Sequence, residues 1–467
     1  MTGSVQPAGG VVSPPPASGP PPEVAFRPRF AFVCGAAALV CVVAMLVLMR
    51  GCTGRPAVRP TPQMAIESRF WVRVLLLSRA TECTIAAPSG LRIAPGGMAL
   101  KTSVSPTKLG IVAGRFLLGT TALPGTEVLL SPDTPYIFEL NGQQYRGRLK
   151  LIANEDGQSF DAINLVPLEP YLAGVVGKEM PDDWEPQALR AQAIVARTYC
   201  LFSKIRFGPN RSYDVKRTQA SQVYGGVAAE SERVWNAVNE TCGQILTAPE
   251  PASGARSTAD YGSSPADGNR AAGPPSQDHQ SPFPGLFPAY YSSACGGHTT
   301  NSKEVFGDSY GPLRGVPCPY CKDVAALSLF YWPMATFDRA TVTQKLVRKY
   351  PKLAALGEIA GLEVLAQSNY GDYSRLTRIR LTGAGGKTDT LRAEDLRLTL
   401  DPSGCEIRSM ICRVIPWGSG WAFASGRGWG HGVGMCQHGA QGMARRGNNA
   451  RSILQYYYPG AEIVNVY

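Results

Sequence analysis

The strongest constraint on the fold of this chain is a break in helical pattern between residues 179 and 186. An apolar run that begins at Tyr171 meets Lys178 and Glu179 and stops at Met180-Pro181. Proline cannot continue a helix, and it pushes the residue before it into extended backbone. Five residues later Pro186 suits the first turn of a second helix, whose pattern carries to about Ile205. A short polar segment therefore sets one carboxylate, Glu179, between two anchored elements. An acidic residue near a helix end is ordinarily just solvated. Held between two packed elements, it becomes the residue expected to carry chemistry.

The rest of the chain divides around this break. Residues 1–29 form a Pro/Gly/Ser-rich tail expected to be disordered, and 50–66 a Pro-rich linker. Between them, Phe30 to Met49 is an apolar stretch without charge, long enough as a helix for a bilayer core. It reads as an uncleaved transmembrane anchor, because the charges of a signal peptide are missing from its start. Short alternating runs from Phe70 to Val166 predict a β-rich region, and helical patterns dominate 167–242. A Pro, Ser, Gly and Ala-rich stretch, 247–284, predicts a flexible insertion. An inserted α/β segment follows at 325–400, with an amphipathic helix over 339–356. The expectation is an α+β fold: a mixed, β-rich core with a helical segment carrying Glu179, preceded by a single transmembrane helix, and a catalytic region spanning 67–467.

A formal charge of +11 favours a polyanionic partner or surface. Nucleic acid is not the reading, since no zinc-finger spacing, basic helix repeat or aromatic RNA-binding signature is present. A serine hydrolase is excluded at Ser292, Ser293 and His298, because no nucleophile-elbow sequence surrounds either serine.

Among the 12 cysteines, two tight pairs carry a metal signal: Cys295 with His298, and Cys318 with Cys321. Three thiolates and an imidazole suit tetrahedral zinc, and four filled positions leave none for water, so the site would be structural. A disulfide, Cys318–Cys321 or Cys295–Cys318, is the alternative outside the cytoplasm. Cys405 and Cys412 could pair across a hairpin, and Cys200, Cys242 and Cys436 read as buried thiols. From Gly426 to Gly434 five glycines alternate with Arg427, Trp429, His431 and Val433, a loop whose backbone a ligand can approach closely. Trp429 would stack on a sugar and His431 would bond its hydroxyls. Ser221, Gln222 and Tyr224 could line the same cleft.

The segments Tyr171–Tyr199, Ser221–Tyr224, Tyr291–Val305, Gly426–Ala440 and Ile453–Gly460 together resemble the sporulation stage II protein D and amidase-enhancer family. The resemblance implies a cell-wall function outside the membrane, with peptidoglycan glycan strands as partner and a single-pass, extracytoplasmic location. Members of the sporulation type are lytic transglycosylases that prefer strands stripped of stem peptides, and their catalytic glutamate falls on Glu179. The same resemblance implies a glycan cleft bordered by Tyr171, Arg197, Ser221, Gln222, Tyr224, Arg427, Trp429, His431 and Gln437. The chain departs from the family where Cys436-Gln437-His438-Gly439 replaces the usual Ser-Gln-Trp-Gly, and in its long insertion. The competing implication is a non-catalytic, glycan-binding activator of a cell-wall amidase.

Overall fold

The alternating apolar residues after Phe70 build two largely antiparallel sheets that share one core. In strand Trp71–Ala80, Val72, Val74 and Leu76 point inward and are buried. That strand pairs with Phe160–Pro167, the second and third strands of a seven-stranded sheet, with Trp71 opposite Pro167. A six-stranded sheet covers it and contributes Ile85, Leu109 and Phe138 to the same interior. The computed structural model describes residues 70–94, 98–100, 104–249 and 282–467, all within one compact unit, Pro62–Tyr467.

Strand Phe160–Pro167 runs directly into helix α1, Leu168–Glu179. Every residue of α1 from Leu168 to Val176 is buried, so its position is set by packing. Each fully buried Leu or Val side chain there contributes about 1.5–3 kcal/mol. The helix stops at Met180, whose backbone is extended ahead of Pro181. Helix α2, Pro186–Phe207, begins with its proline in the first turn, and α3, Glu232–Glu240, is capped by Ser231. The first two pack beside the seven-stranded sheet, and α3 packs against both of them.

A second core lies between Trp332 and Phe423. It is built from helix α4, Arg339–Lys349, helix α5, Ala393–Leu400, the sheet Ile359–Asn369, Ser374–Gly383 and Thr388–Arg392, and the hairpin Arg413–Trp417 with Gly420–Ala424. It reaches past residue 400, the limit expected from sequence, because the hairpin places Trp421 and Phe423 inside it. The amphipathic pattern over 339–356 is divided: Pro351 ends α4 and opens a 3-10 turn, Pro351–Leu356. Chain enters this module through Tyr331–Trp332 and leaves through Gly426–Arg427, and these two strands pair with each other. Helices α6, Gln437–Arg445, and α7, Ala450–Tyr457, return to the first core.

The fold is α+β with a β-rich core, and the expected transmembrane helix is corrected. Among the described residues no helix is long and apolar enough to cross a membrane. The longest, α2, carries Arg190, Arg197, Lys204 and Arg206. The stretch 30–49 lies outside the described residues, as do 1–29, 50–66 and most of 247–284. Single-pass topology and the membrane as a partner are accordingly not carried forward.

Candidate active site and metal centre

Glu179 is the last residue of α1, and three donors converge on its carboxylate. The Val223 backbone N–H donates to Oε1 at 2.8 Å, the Tyr291 hydroxyl donates to Oε1 at 3.3 Å, and Gln437 Nε2 donates to Oε2 at 3.2 Å. These groups come from the loop after α2, from strand Tyr291–Ser292 and from the start of α6. Burial raises the Glu179 pKa, and the three hydrogen bonds oppose the rise only in part. The result is a carboxyl group that holds its proton more tightly than a free one, with neutral donors and, among the described residues, no second carboxylate bonded to it.

The donors are themselves held. Tyr171 donates to Gln222 Oε1 at 3.1 Å, which orients the amide so that Gln222 Nε2 donates to the Tyr291 hydroxyl at 3.1 Å. The chain Tyr171–Gln222–Tyr291–Glu179 is thus polarised in one direction. Gln437 Nε2 also approaches Gln192 Oε1 at 3.5 Å. Tyr224 packs on Tyr171, with ring centroids 5.0 Å apart, and donates to Asn164. Ser221 accepts from the Lys216 N–H.

The residues expected to line the cleft therefore separate into two groups. Tyr171, Gln222, Tyr224 and Gln437 are buried, and they support Glu179 from behind. Arg197 is fully buried too, and its fork binds Glu169 at 2.6 and 2.8 Å, joining α2 to α1. Arg427, Trp429 and His431 make no hydrogen bond with Glu179. Trp429 pairs with Ala294 through its backbone, and its ring stacks under Arg408. His431 accepts from the Val433 N–H, and burial pushes its pKa down to about 4, so it is neutral. Sequence reasoning missed Tyr291. The alternation in the strand-like Tyr290-Tyr291 run put the two rings on opposite faces, but nothing local showed which of them meets Glu179.

The metal centre keeps three of its four expected ligands and replaces the fourth. The sulfurs of Cys295, Cys318, Cys321 and Cys436 all lie within 4.8 Å of one another and are buried. His298 is elsewhere: its ring stacks on Tyr370 at 4.2 Å. Cys436 takes its place because strand Tyr291–Ser292 runs parallel to Met435–Cys436 and sets Cys436 beside Cys295. A tetrahedral zinc with sulfurs at about 2.3 Å has sulfur–sulfur edges of about 3.8 Å. Cys295 and Cys321 are 3.8 Å apart. All nine described cysteines are free thiols, so neither the Cys318–Cys321 nor the Cys405–Cys412 bridge forms. The donor set is that of a closed, structural zinc site, and it packs against Tyr457, whose hydroxyl lies 3.0 Å from Cys318 Sγ.

Comparison with known proteins agrees with this architecture. A family model described as Stage II sporulation protein matches residues 156–247, which include Glu179 and Val223. An uncharacterised protein of Brachyspira hyodysenteriae is 29% identical over 331 residues, covering 70% of this chain and 74% of that protein. The stage II sporulation protein D of Bacillus subtilis is 28% identical over 319 residues, covering 65% and 76%. The amidase enhancer of Bacillus subtilis is 25% identical over 401 residues, covering 76% of this chain and 50% of that protein. The chain belongs to the family of the stage II sporulation protein D and the amidase enhancer.

Proposed function

We propose that this protein cleaves peptidoglycan glycan strands as a lytic transglycosylase, with Glu179 as its one acid and base. The observation that carries the reading is the half-buried Glu179 carboxyl, raised in pKa and fixed by Val223, Tyr291 and Gln437. Its proton passes to the glycosidic oxygen between N-acetylmuramic acid and N-acetylglucosamine, and the bond from that oxygen to muramoyl C1 breaks. The carboxylate left behind takes the proton of the muramoyl C6 hydroxyl, whose oxygen attacks C1 and closes a 1,6-anhydro ring. No water is activated, so the second carboxylate of a hydrolase is not needed. The neutral donors around Glu179 fit this cycle, since they bind the carboxylate form without holding it permanently ionised.

The test is mass spectrometry of denuded glycan strands after incubation with the full chain. Anhydro-ended fragments from the wild type, absent with Glu179→Gln, are expected. Reducing-end products would mean hydrolysis.

A second reading is favoured by the match, 25% identical over 401 residues, to a protein named amidase enhancer. In it the chain binds glycan and stimulates a separate cell-wall amidase, with Glu179 as a binding group. The names of the relatives speak more directly for this reading, and the Glu179 geometry for the first. Stimulation of a purified amidase by Glu179→Gln at the wild-type level, with no glycan cleavage by the wild type, would select it.

A further inference from the structure

Among the described residues most guanidinium groups set into the protein are paired with carboxylates, and the half-buried Arg427 is an exception. Arg197 holds Glu169, Arg397 holds Glu394, Arg146 holds Glu230 and Arg392 holds Asp395. Arg375 lacks a carboxylate as well, but it donates to the Cys295 carbonyl beside the thiol cluster. Among the described residues, no acceptor takes a hydrogen bond from the Arg427 side chain, and its Nε is buried.

Arg427 is nevertheless rigidly held. Its guanidinium lies 4.0 Å from the Tyr373 ring centre, 5.1 Å from Phe330 and 5.9 Å from Tyr331. Stacking of this kind fixes the plane of the fork and leaves its edge N–H groups unbonded. The Tyr373 hydroxyl comes to the same place, also without a hydrogen-bond partner among the described residues. Both groups sit over Gly297, where a Cβ would lie 2.5 Å from Tyr373 Oη and 3.1 Å from Arg427 Nη2. Gly297 has φ of +116°, so only glycine suits this backbone and this approach. Tyr331 is 43% exposed, which leaves the cluster open on one side.

We infer that Arg427 and Tyr373 form a carboxylate-reading subsite for the peptidoglycan strand, separate from Glu179. A planar fork with a neighbouring hydroxyl donor matches a carboxylate, and the flanking rings match the apolar face of a sugar. The subsite belongs to the same stretch of chain as the reaction site. Tyr291, which bonds Glu179, and Gly297 are six residues apart, a span of at most about 20 Å. An oligosaccharide of several sugars covers that distance. The carboxylate has two sources in peptidoglycan: the muramoyl lactyl group once its peptide is removed, or the stem peptide itself. The subsite is assembled from two places, Tyr373 from the inserted module and Arg427 from the strand that leaves it. The inference rests on the glycan reading above.

The experiment is equilibrium binding by the full chain carrying Glu179→Gln, which removes turnover. Three ligands are used: denuded glycan oligosaccharides, peptide-bearing ones, and chito-oligosaccharides of equal length, which lack carboxylates. Tighter binding of either carboxylate-bearing ligand than of chito-oligosaccharide is expected, and the stronger of the two identifies the source. Adding Arg427→Gln should weaken that ligand about ten- to a hundredfold and leave chito-oligosaccharide binding unchanged. Tyr373→Phe, which keeps the stack and removes only the hydroxyl, should weaken it about three- to tenfold. Equal affinity for all three ligands, or no selective loss in Tyr373→Phe and Arg427→Gln, would overturn the subsite while leaving the glycan reading intact. Absence of binding to every glycan would overturn the glycan reading, and the subsite with it.

Discussion

Arg375 of the inserted module donates from Nη2 to the carbonyl oxygen of Cys295, 3.1 Å away, in the loop that supplies the first thiol of the metal centre. Its guanidinium is fully buried, and Nε and Nη1 have no hydrogen-bond partner among the described residues. Four thiolates around a divalent zinc leave two negative charges. A buried cation against the first of these ligands offsets part of that charge in a low-dielectric surrounding. Arg375→Met should therefore lower zinc affinity by about tenfold or more, read by competition with a coloured chelator. Arg375→Lys, which keeps the charge, should recover most of the loss. Equal zinc affinity in all three proteins would remove Arg375 from any part in holding the metal.

The ligand set itself makes a direct prediction. The full chain should bind one zinc, and Cys436→Ala should lose it, while His298→Ala should keep it. Metal analysis after gel filtration separates the two outcomes. Chelation should also lower the melting temperature, because the four thiols tie Cys295, Cys318 and Cys321 to the start of α6. A His298→Ala protein without zinc would restore the imidazole to the ligand set.

The Glu179 environment has a pH signature. Burial raises the carboxyl pKa, so the folded state holds the proton more tightly than the unfolded chain. Below the ordinary carboxylate range both states are protonated and the group makes no difference. As pH rises through that range towards the folded-state pKa, stability is lost, and above it the loss is complete. Glu179→Gln cannot ionise, and Gln437 can turn its amide to present an oxygen to it. The variant should be more stable than wild type at neutral pH, with the difference gone by about pH 4. Denaturant titrations at several pH values measure this. Cleavage by wild type should fall as pH rises past the same pKa, since the acid form is the donor.

Gly177 lies two residues before the end of α1, and a Cβ there would sit 1.9 Å from the Ala229 carbonyl oxygen. Backbone cannot yield as a flexible side chain does. Gly177→Ala should cost at least about 1–3 kcal/mol by overpacking and displace Glu179 from its donors. A lower melting temperature together with lost cleavage is expected. Wild-type stability in this variant would mean that α1 and the loop can separate freely.

Arg197 and Glu169 form a buried pair that also receives the Tyr467 hydroxyl. Breaking it from one side leaves an uncompensated charge, so Glu169→Gln or Arg197→Met should destabilise the fold by about 3–5 kcal/mol. Chemical denaturation of purified variants gives the value. A loss below about 1 kcal/mol would mean that water reaches the pair.

How much of this was legible in the sequence depended on whether a signal was local. The helix break at Pro181 and Pro186 is a backbone property of two prolines, and α1 ends and α2 begins where it says. The Cys318–Cys321 pair is equally local. Cys436 was not legible as a ligand, because a parallel strand pairing brings it from 141 residues away to Cys295. His298 had the right spacing from Cys295, but positive backbone angles at Gly296 and Gly297 turn the chain and leave the ring on Tyr370. Buried supports such as Gln222 and Arg197 looked like cleft residues, since a polar side chain shows its chemistry in the sequence and its depth only in the fold.

The paired strands Tyr331–Trp332 and Gly426–Arg427 also bear on how this protein can change. Because the two ends of the module are neighbours, an excision at that neck would let the chain rejoin over a short distance, at the loss of the hydrogen bonds that Tyr370, Arg375 and Arg392 make to Thr300, Cys295 and Phe306. Such an excision would take Tyr373 and Arg375 with it but spare the carboxyl group that does the proposed chemistry. The proposed scission and the proposed discrimination therefore draw on different stretches of chain, the first on α1 and the strand of Tyr291, the second partly on the module.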